Sequence, residues 1–130
     1  TWTVAAVNFG GAGGAVQRFV FADGERGWLL VARPGGGAQL LRTADGGRSW
    51  TSPQALPGNE LADLAFGDAL AGWAVGAGGQ VWATRDGGLS WQAQVSGTSR
   101  TLRVVAAHDG QTAWAGGMQG TLLATATGGH

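Results

Sequence analysis

Thr84-Arg85-Asp86-Gly87-Gly88-Leu89-Ser90-Trp91 repeats Thr43-Ala44-Asp45-Gly46-Gly47-Arg48-Ser49-Trp50 with a period of 41 residues. One period further on, Thr125-Ala126-Thr127-Gly128-Gly129-His130 opens a third copy. The Ser/Thr-Trp pair that would complete that copy stands at the other end of the sequence, as Thr1-Trp2. Each eight-residue box is a tight turn. Its two glycines accept positive φ without a Cβ penalty. Its Asp carboxylate can take N–H groups of its own turn, and its Ser hydroxyl can do so more weakly. Its Trp carries a large apolar surface into the following strand. Turn chemistry accounts for Asp45, Gly46, Gly47, Ser49 and Trp50, and for Asp86, Gly87, Gly88, Ser90 and Trp91. An Asp beside a Ser is therefore read here as a structural clasp and not as a base beside a nucleophile. In the third box Thr127 replaces the Asp and makes a weaker turn, with Trp2 supplying the missing aromatic. Trp50 and Trp91 are expected to be the strongest single anchors.

The repeat continues outward from the box. Phe66-Gly67-Asp68 leads to Gly72-Trp73-Ala74-Val75-Gly76, Phe21-Ala22-Asp23 to Gly27-Trp28-Leu29-Leu30-Val31, and Ala107-His108-Asp109 to Ala113-Trp114-Ala115-Gly116-Gly117. The spacing from Asp to Trp is the same in all three. With the second repeat as template, four strands are expected: A at 61–66, B at 72–76, C at 80–84 and D at 91–95, separated by Gly-rich turns. Four short antiparallel strands in about 40–45 residues make a propeller blade. A solenoid would need shorter coils or a helical 3.6 period, and neither is visible. The expected fold is all-β, a β-propeller with three four-stranded blades, completed to six by a second copy or by the rest of a larger propeller. The whole of 1–130 forms one module, with a strand D at 1–7 and repeats at 8–50, 51–91 and 92–130. Residues 1–7 are expected to act as strand D of the blade whose other strands lie within 101–125.

Composition restricts function. The 130 residues carry zero net charge from eight basic and eight acidic groups, and every basic group is Arg. Such a balance leaves no electrostatic footprint for nucleic acid. The absence of Cys removes disulfides, thiolate metal sites and Cys nucleophiles. No stretch reaches the roughly 18 apolar residues of a membrane-spanning helix. Twenty-six Gly could signal disorder, but seven Trp argue for a packed fold.

The box and its surroundings, Phe66-x-Asp68 through Gly72-Trp73-Ala74-Val75-Gly76 and Gly79-Gln80-Val81-Trp82 to Asp86-Gly87-Gly88-x-Ser90-Trp91, resemble the Asp-box, or BNR, repeat. In its longer form the pattern resembles the photosystem II assembly/stability factor family and its non-photosynthetic bacterial relatives. The resemblance implies a propeller, usually extracytoplasmic (periplasmic or secreted), that binds a protein partner, in the photosystem factors through an Arg-rich surface. Asp-boxes also occur in sialidases and xyloglucan-cleaving glycosidases. A sialidase-like site needs a Tyr nucleophile, and this chain has no Tyr. A carboxylate pair from Glu60 and Asp63 would point to opposite faces of one strand. His108 and His130 have no metal-ligand spacing, and Gly10-Gly11-Ala12-Gly13-Gly14 lacks the ending of a phosphate loop. No cofactor, metal or catalytic residue is expected.

Length variation concentrates in 8–15, 33–38, 52–60, 96–100 and 116–120, the D–A and B–C connections, which share one end of a blade. Binding residues concentrate on such loops. The candidates for holding a protein or peptide, with a glycan as alternative, are Arg33, Glu60, Arg100, Met118 and Gln119, with Arg103 near the channel mouth. The competing reading is a spacer whose loops are ordinary surface. An exposed Trp at the loop end would favour a glycan, and an Arg cluster without one a protein.

Overall fold

The computed structural model describes residues 15–32, 37–51 and 54–126. Within them are eleven strands: β1 (Ala15–Phe21), β2 (Gly27–Ala32), β3 (Gly37–Thr43), β4 (Gln54–Asn59), β5 (Leu61–Phe66), β6 (Gly72–Gly76), β7 (Val81–Thr84), β8 (Gln92–Gln94), β9 (Leu102–Ala107), β10 (Ala113–Gly117) and β11 (Leu122–Thr125). They form three antiparallel sheets in chain order, β1-β2-β3-β4, β5-β6-β7-β8 and β9-β10-β11. Among the described residues no helix is long and apolar enough to cross a membrane.

Strands A and B of the second repeat fall where their apolar runs place them. Strands C and D are shorter than expected, because Gln80 follows a 3₁₀ turn at Ala77–Gly79 and Trp91 still belongs to the box. Two expected loops contain strand: β4 occupies most of 52–60, and β3 begins inside 33–38. The expected strand at 1–7, with Trp2, and the third box residue Thr127 lie outside the described residues.

The core sits between sheets. Trp28, Leu30, Leu40 and Leu56 of the first sheet pack on Leu64 and Ala74 of the second. The opposite face of the second sheet, Ala65, Trp73, Val75 and Ala83, packs on Leu102, Val105 and Ala113 of the third. Strand alternation explains the division, since successive residues of β6 point to opposite faces and both faces are covered. Trp28 and Trp73, on the second strands, are therefore 3% and 4% exposed. Trp50 and Trp91 are only half-buried. Each sits edge-on against its own blade's Phe beside a buried cluster, while Trp28 and Trp73 lie deeper, in the space between sheets, so burial favours the second-strand tryptophans over the expected box tryptophans as anchors.

Candidate functional site

One end of the sheets is built by the boxes. Asp45 Oδ1 accepts the Ser49 N–H at 2.9 Å and the Thr43 hydroxyl at 2.8 Å, and Oδ2 accepts the Ser49 hydroxyl at 2.5 Å. Asp86 repeats this with Ser90 and Thr84 at 2.9, 2.8 and 2.6 Å. These bonds, led by the Ser hydroxyl, hold both carboxyls well below the usual range, at about 2. Gly46, Gly47, Gly87 and Gly88 take φ between +75° and +93°, as the turn demands. A second set of carboxylates, distinguished in the sequence only by a constant spacing to the following Trp, closes the A–B turns alongside. Asp23, Asp68 and Asp109 each accept two backbone N–H groups, from Glu25 and Arg26, Leu70 and Ala71, and Gln111 and Thr112. Box and A–B turn are tied by Gly46 N–H to Glu25 O and Gly87 N–H to Leu70 O, both 2.9 Å. Asp23, Asp45, Asp68, Asp86 and Asp109 are each engaged in holding a turn at this end.

The other end carries the connections between sheets. Glu60 alone links β4 to β5, at φ +54°, and its carbonyl accepts the Ala77 N–H at 3.2 Å. Ser96 Oγ donates to Gly79 O at 2.7 Å, which folds the next link over the same 3₁₀ turn. In the third sheet Met118 N–H donates to Thr101 O at 3.1 Å, and Gln119 holds φ +59° at the tip of the 3₁₀ turn Met118–Gly120. Glu60, Arg100, Met118 and Gln119 are exposed there. Arg103 is exposed at the start of β9, on a bulge that leaves it unpaired with β10. Arg33 lies outside the described residues. Among the described tryptophans none is exposed at this end: Trp82 is half-buried and donates to Gln80 Oε1, and the exposed Trp114 stands in β10.

Between the two ends lies Asp63, which the sequence offered only as half of a carboxylate pair. It is 5% exposed. Its Oδ1 meets Arg18 Nε of β1 at 3.0 Å and accepts the Leu64 N–H at 2.9 Å, and its Oδ2 accepts the Val105 N–H of β9 at 2.9 Å. One carboxylate thus joins the first strands of all three sheets. Those strands share a bulge: pairing skips Gln17, Ala62 and Arg103 at matching positions. Glu60 sits in a turn and Asp63 is consumed by these contacts, so the two do not form a catalytic pair. No group of three or more metal-ligating side chains occurs among the described residues.

Solved structures share this fold. A structure of YCF48 bound to D1 peptide matches with a TM-score of 0.72 and 26% identity, over 89% of this chain and 37% of that one. YCF48 from Cyanidioschyzon merolae matches with a TM-score of 0.70 and 23% identity, over 89% of this chain and 35% of that one. The chain has the β-propeller fold. It spans little more than a third of the length of those propellers. No protein-family model matches the sequence, and no curated protein matches it significantly. In propeller terms β1, β5 and β9 are the innermost strands of three successive blades, and Asp63 couples them near the axis.

Proposed function

We propose that this chain is a non-catalytic propeller module that binds a protein or peptide partner at the end formed by its D–A and B–C connections. One observation carries the reading. The likeness is to a propeller whose structure holds a bound peptide, and it extends over nearly the whole of this chain. The distribution of carboxylates agrees with it. At the box end the Asp side chains are spent on turns, whereas Glu60, Arg100, Met118 and Gln119 extend into solvent on backbone that is itself pinned. A rigid scaffold presenting mixed polar and apolar side chains suits an extended peptide, with Met118 as an adaptable apolar contact and Arg100 as a partner for acidic groups. The glycan alternative lacks its stacking platform among the described residues of that end.

The test is selection of displayed twelve-residue peptides on the immobilised chain, followed by affinity measurement of the enriched sequences. Arg100→Ala with Met118→Ala should weaken them about 10-fold or more and leave the melting temperature unchanged. Unaltered affinity would move the site away from this end.

A further inference from the structure

The junction between the first two blades opens at the box end into a cleft of about 340 Å³. Both walls belong to four-stranded sheets and lie within the described residues. Arg26, Arg42 and Thr51 of the first blade line one wall, and Ala69, Leu70 and Asp86 of the second line the other. Trp28 fixes the two blades to each other there. Its indole lies flat on Phe66, with centroids 3.6 Å apart and planes 3° from parallel. Its Nε1–H donates to Gly87 O in the second box at 2.8 Å. The cleft is therefore part of a fixed junction inside the chain.

The spacings of the repeat align Arg26 with Ala71 and Thr112, and Arg42 with Ala83 and Ala124. A guanidinium is thus not what a blade needs at either position, since the second and third sheets form without one. Arg42 of β3 pairs with Trp28 of β2, so both side chains leave the same sheet face, toward the second blade. Neither Arg26 nor Arg42 lies within ion-pair distance of a carboxylate among the described residues. Asp86 is the acidic group of the cleft, and its oxygens are taken by Ser90 and Thr84 of its own box. Asp23, in the turn before Arg26, accepts the Glu25 and Arg26 N–H groups on Oδ1. Thr51 Oγ1 accepts the Arg42 N–H at 3.0 Å, which leaves its hydroxyl proton for an acceptor in the cleft.

We propose that this cleft binds a tetrahedral oxyanion, a phosphate or sulfate group, held by Arg26 and Arg42 with the Thr51 hydroxyl donating to it. Two cationic groups against one carboxylate leave the cleft net positive. A single Arg fork already occupies both oxygens of a carboxylate. Two forks and a hydroxyl call for at least one oxygen more, which phosphate and sulfate supply. Guanidinium suits such ions, because its planar donors match pairs of oxygens and it is weakly hydrated. Ala69 and Leu70 offer an apolar wall to whatever carries the group. The cleft lies at the opposite end of the sheets from Glu60, Arg100, Met118 and Gln119, so the inference stands apart from the peptide reading.

Calorimetric titration of the 130-residue chain with inorganic phosphate and with sulfate, at constant ionic strength, should show one saturable site. Acetate and chloride should show none. Arg26→Ala and Arg42→Ala each place in the first blade the residue that the second carries at the aligned position. Each should weaken binding about 10-fold or more, the loss of a charged hydrogen-bond donor, with the melting temperature of the ligand-free chain unchanged. Arg42→Lys should recover part of the affinity lost in Arg42→Ala, because it keeps the charge without the fork. Arg48→Ala removes an exposed Arg of the same end that does not line the cleft, and should leave binding intact. Phosphoserine separates the sources: binding tighter than inorganic phosphate assigns a group carried by a larger molecule, and weaker binding a free ion. A wild-type chain that binds neither ion saturably would overturn the proposal. Equal binding of acetate, or an equal loss in Arg48→Ala, would overturn it too, as the mark of an adventitious ion only.

Discussion

Asp45 and Asp86 illustrate how a surface carboxylate becomes structural. Each is lowered to about 2 by the Ser hydroxyl, the Ser N–H and the Thr hydroxyl around it. A carboxyl whose folded pKa is depressed contributes stability that is fully present above its unfolded value of 3.8 and is lost as pH falls through the folded value. The clasp should therefore weaken between about pH 4 and pH 2. In acid titrations followed by circular dichroism, the double variant Asp45→Asn with Asp86→Asn should show a shallower loss of stability across that window than the wild type. An identical acid limb would mean that the boxes are not the groups titrating. Tryptophans rank differently from a reading of the box alone. Trp28→Ala empties a buried slot, removes a stacked ring and leaves Gly87 O without its donor, and should cost about 3–5 kcal/mol. Trp91→Ala, at a half-buried rim position, should cost less, about 1–3 kcal/mol. Chemical denaturation of the two variants decides the order.

At the scale of the element, the connections explain what could and could not be read from sequence. Strands 61–66 and 72–76 were legible because an apolar run between Gly-rich turns has few other ways to fold. Strand β4 was not, because 52–60 was read as a connection from its length variation; it is the outermost of the described strands in its sheet, a position that tolerates Pro57. The loop-end candidates were placed by length variation alone. Their backbone poses, with Glu60 and Gln119 in the left-handed region, depend on contacts that local sequence does not encode. Gln119 stands where the preceding blade has Gly78, which takes φ +70° in the matching 3₁₀ turn. Gln119→Gly should relieve the strain of a side chain at positive φ and raise stability by about 0.5–1 kcal/mol, the relief exceeding glycine's larger loss of freedom on folding. A lower melting temperature for this variant would show that the Gln side chain contributes more than its backbone costs.

At the scale of the whole molecule, three blades have to behave as one unit, and Asp63 is the polar link among them. Sequence could not reveal it, since its partners Arg18 and Val105 lie 45 residues before it and 42 after it and become neighbours only after the blades pack. Its two functions differ in weight. The Arg18 side chain is 51% exposed, so water screens the ion pair and the guanidinium remains solvated when the carboxylate is removed. The Val105 N–H is buried between the second and third blades and loses its acceptor. Arg18→Ala should therefore cost about 1 kcal/mol or less. Asp63→Ala should cost about 2–4 kcal/mol, because two backbone N–H groups go unpaired at once. The loss should be directional as well as larger. Amide exchange at Val105 and along β9 should accelerate more than exchange in β2 and β3, as the third blade loosens from the second. Equal costs for the two variants would mean that charge pairing, and not the acceptance of the Val105 N–H, holds the blades together.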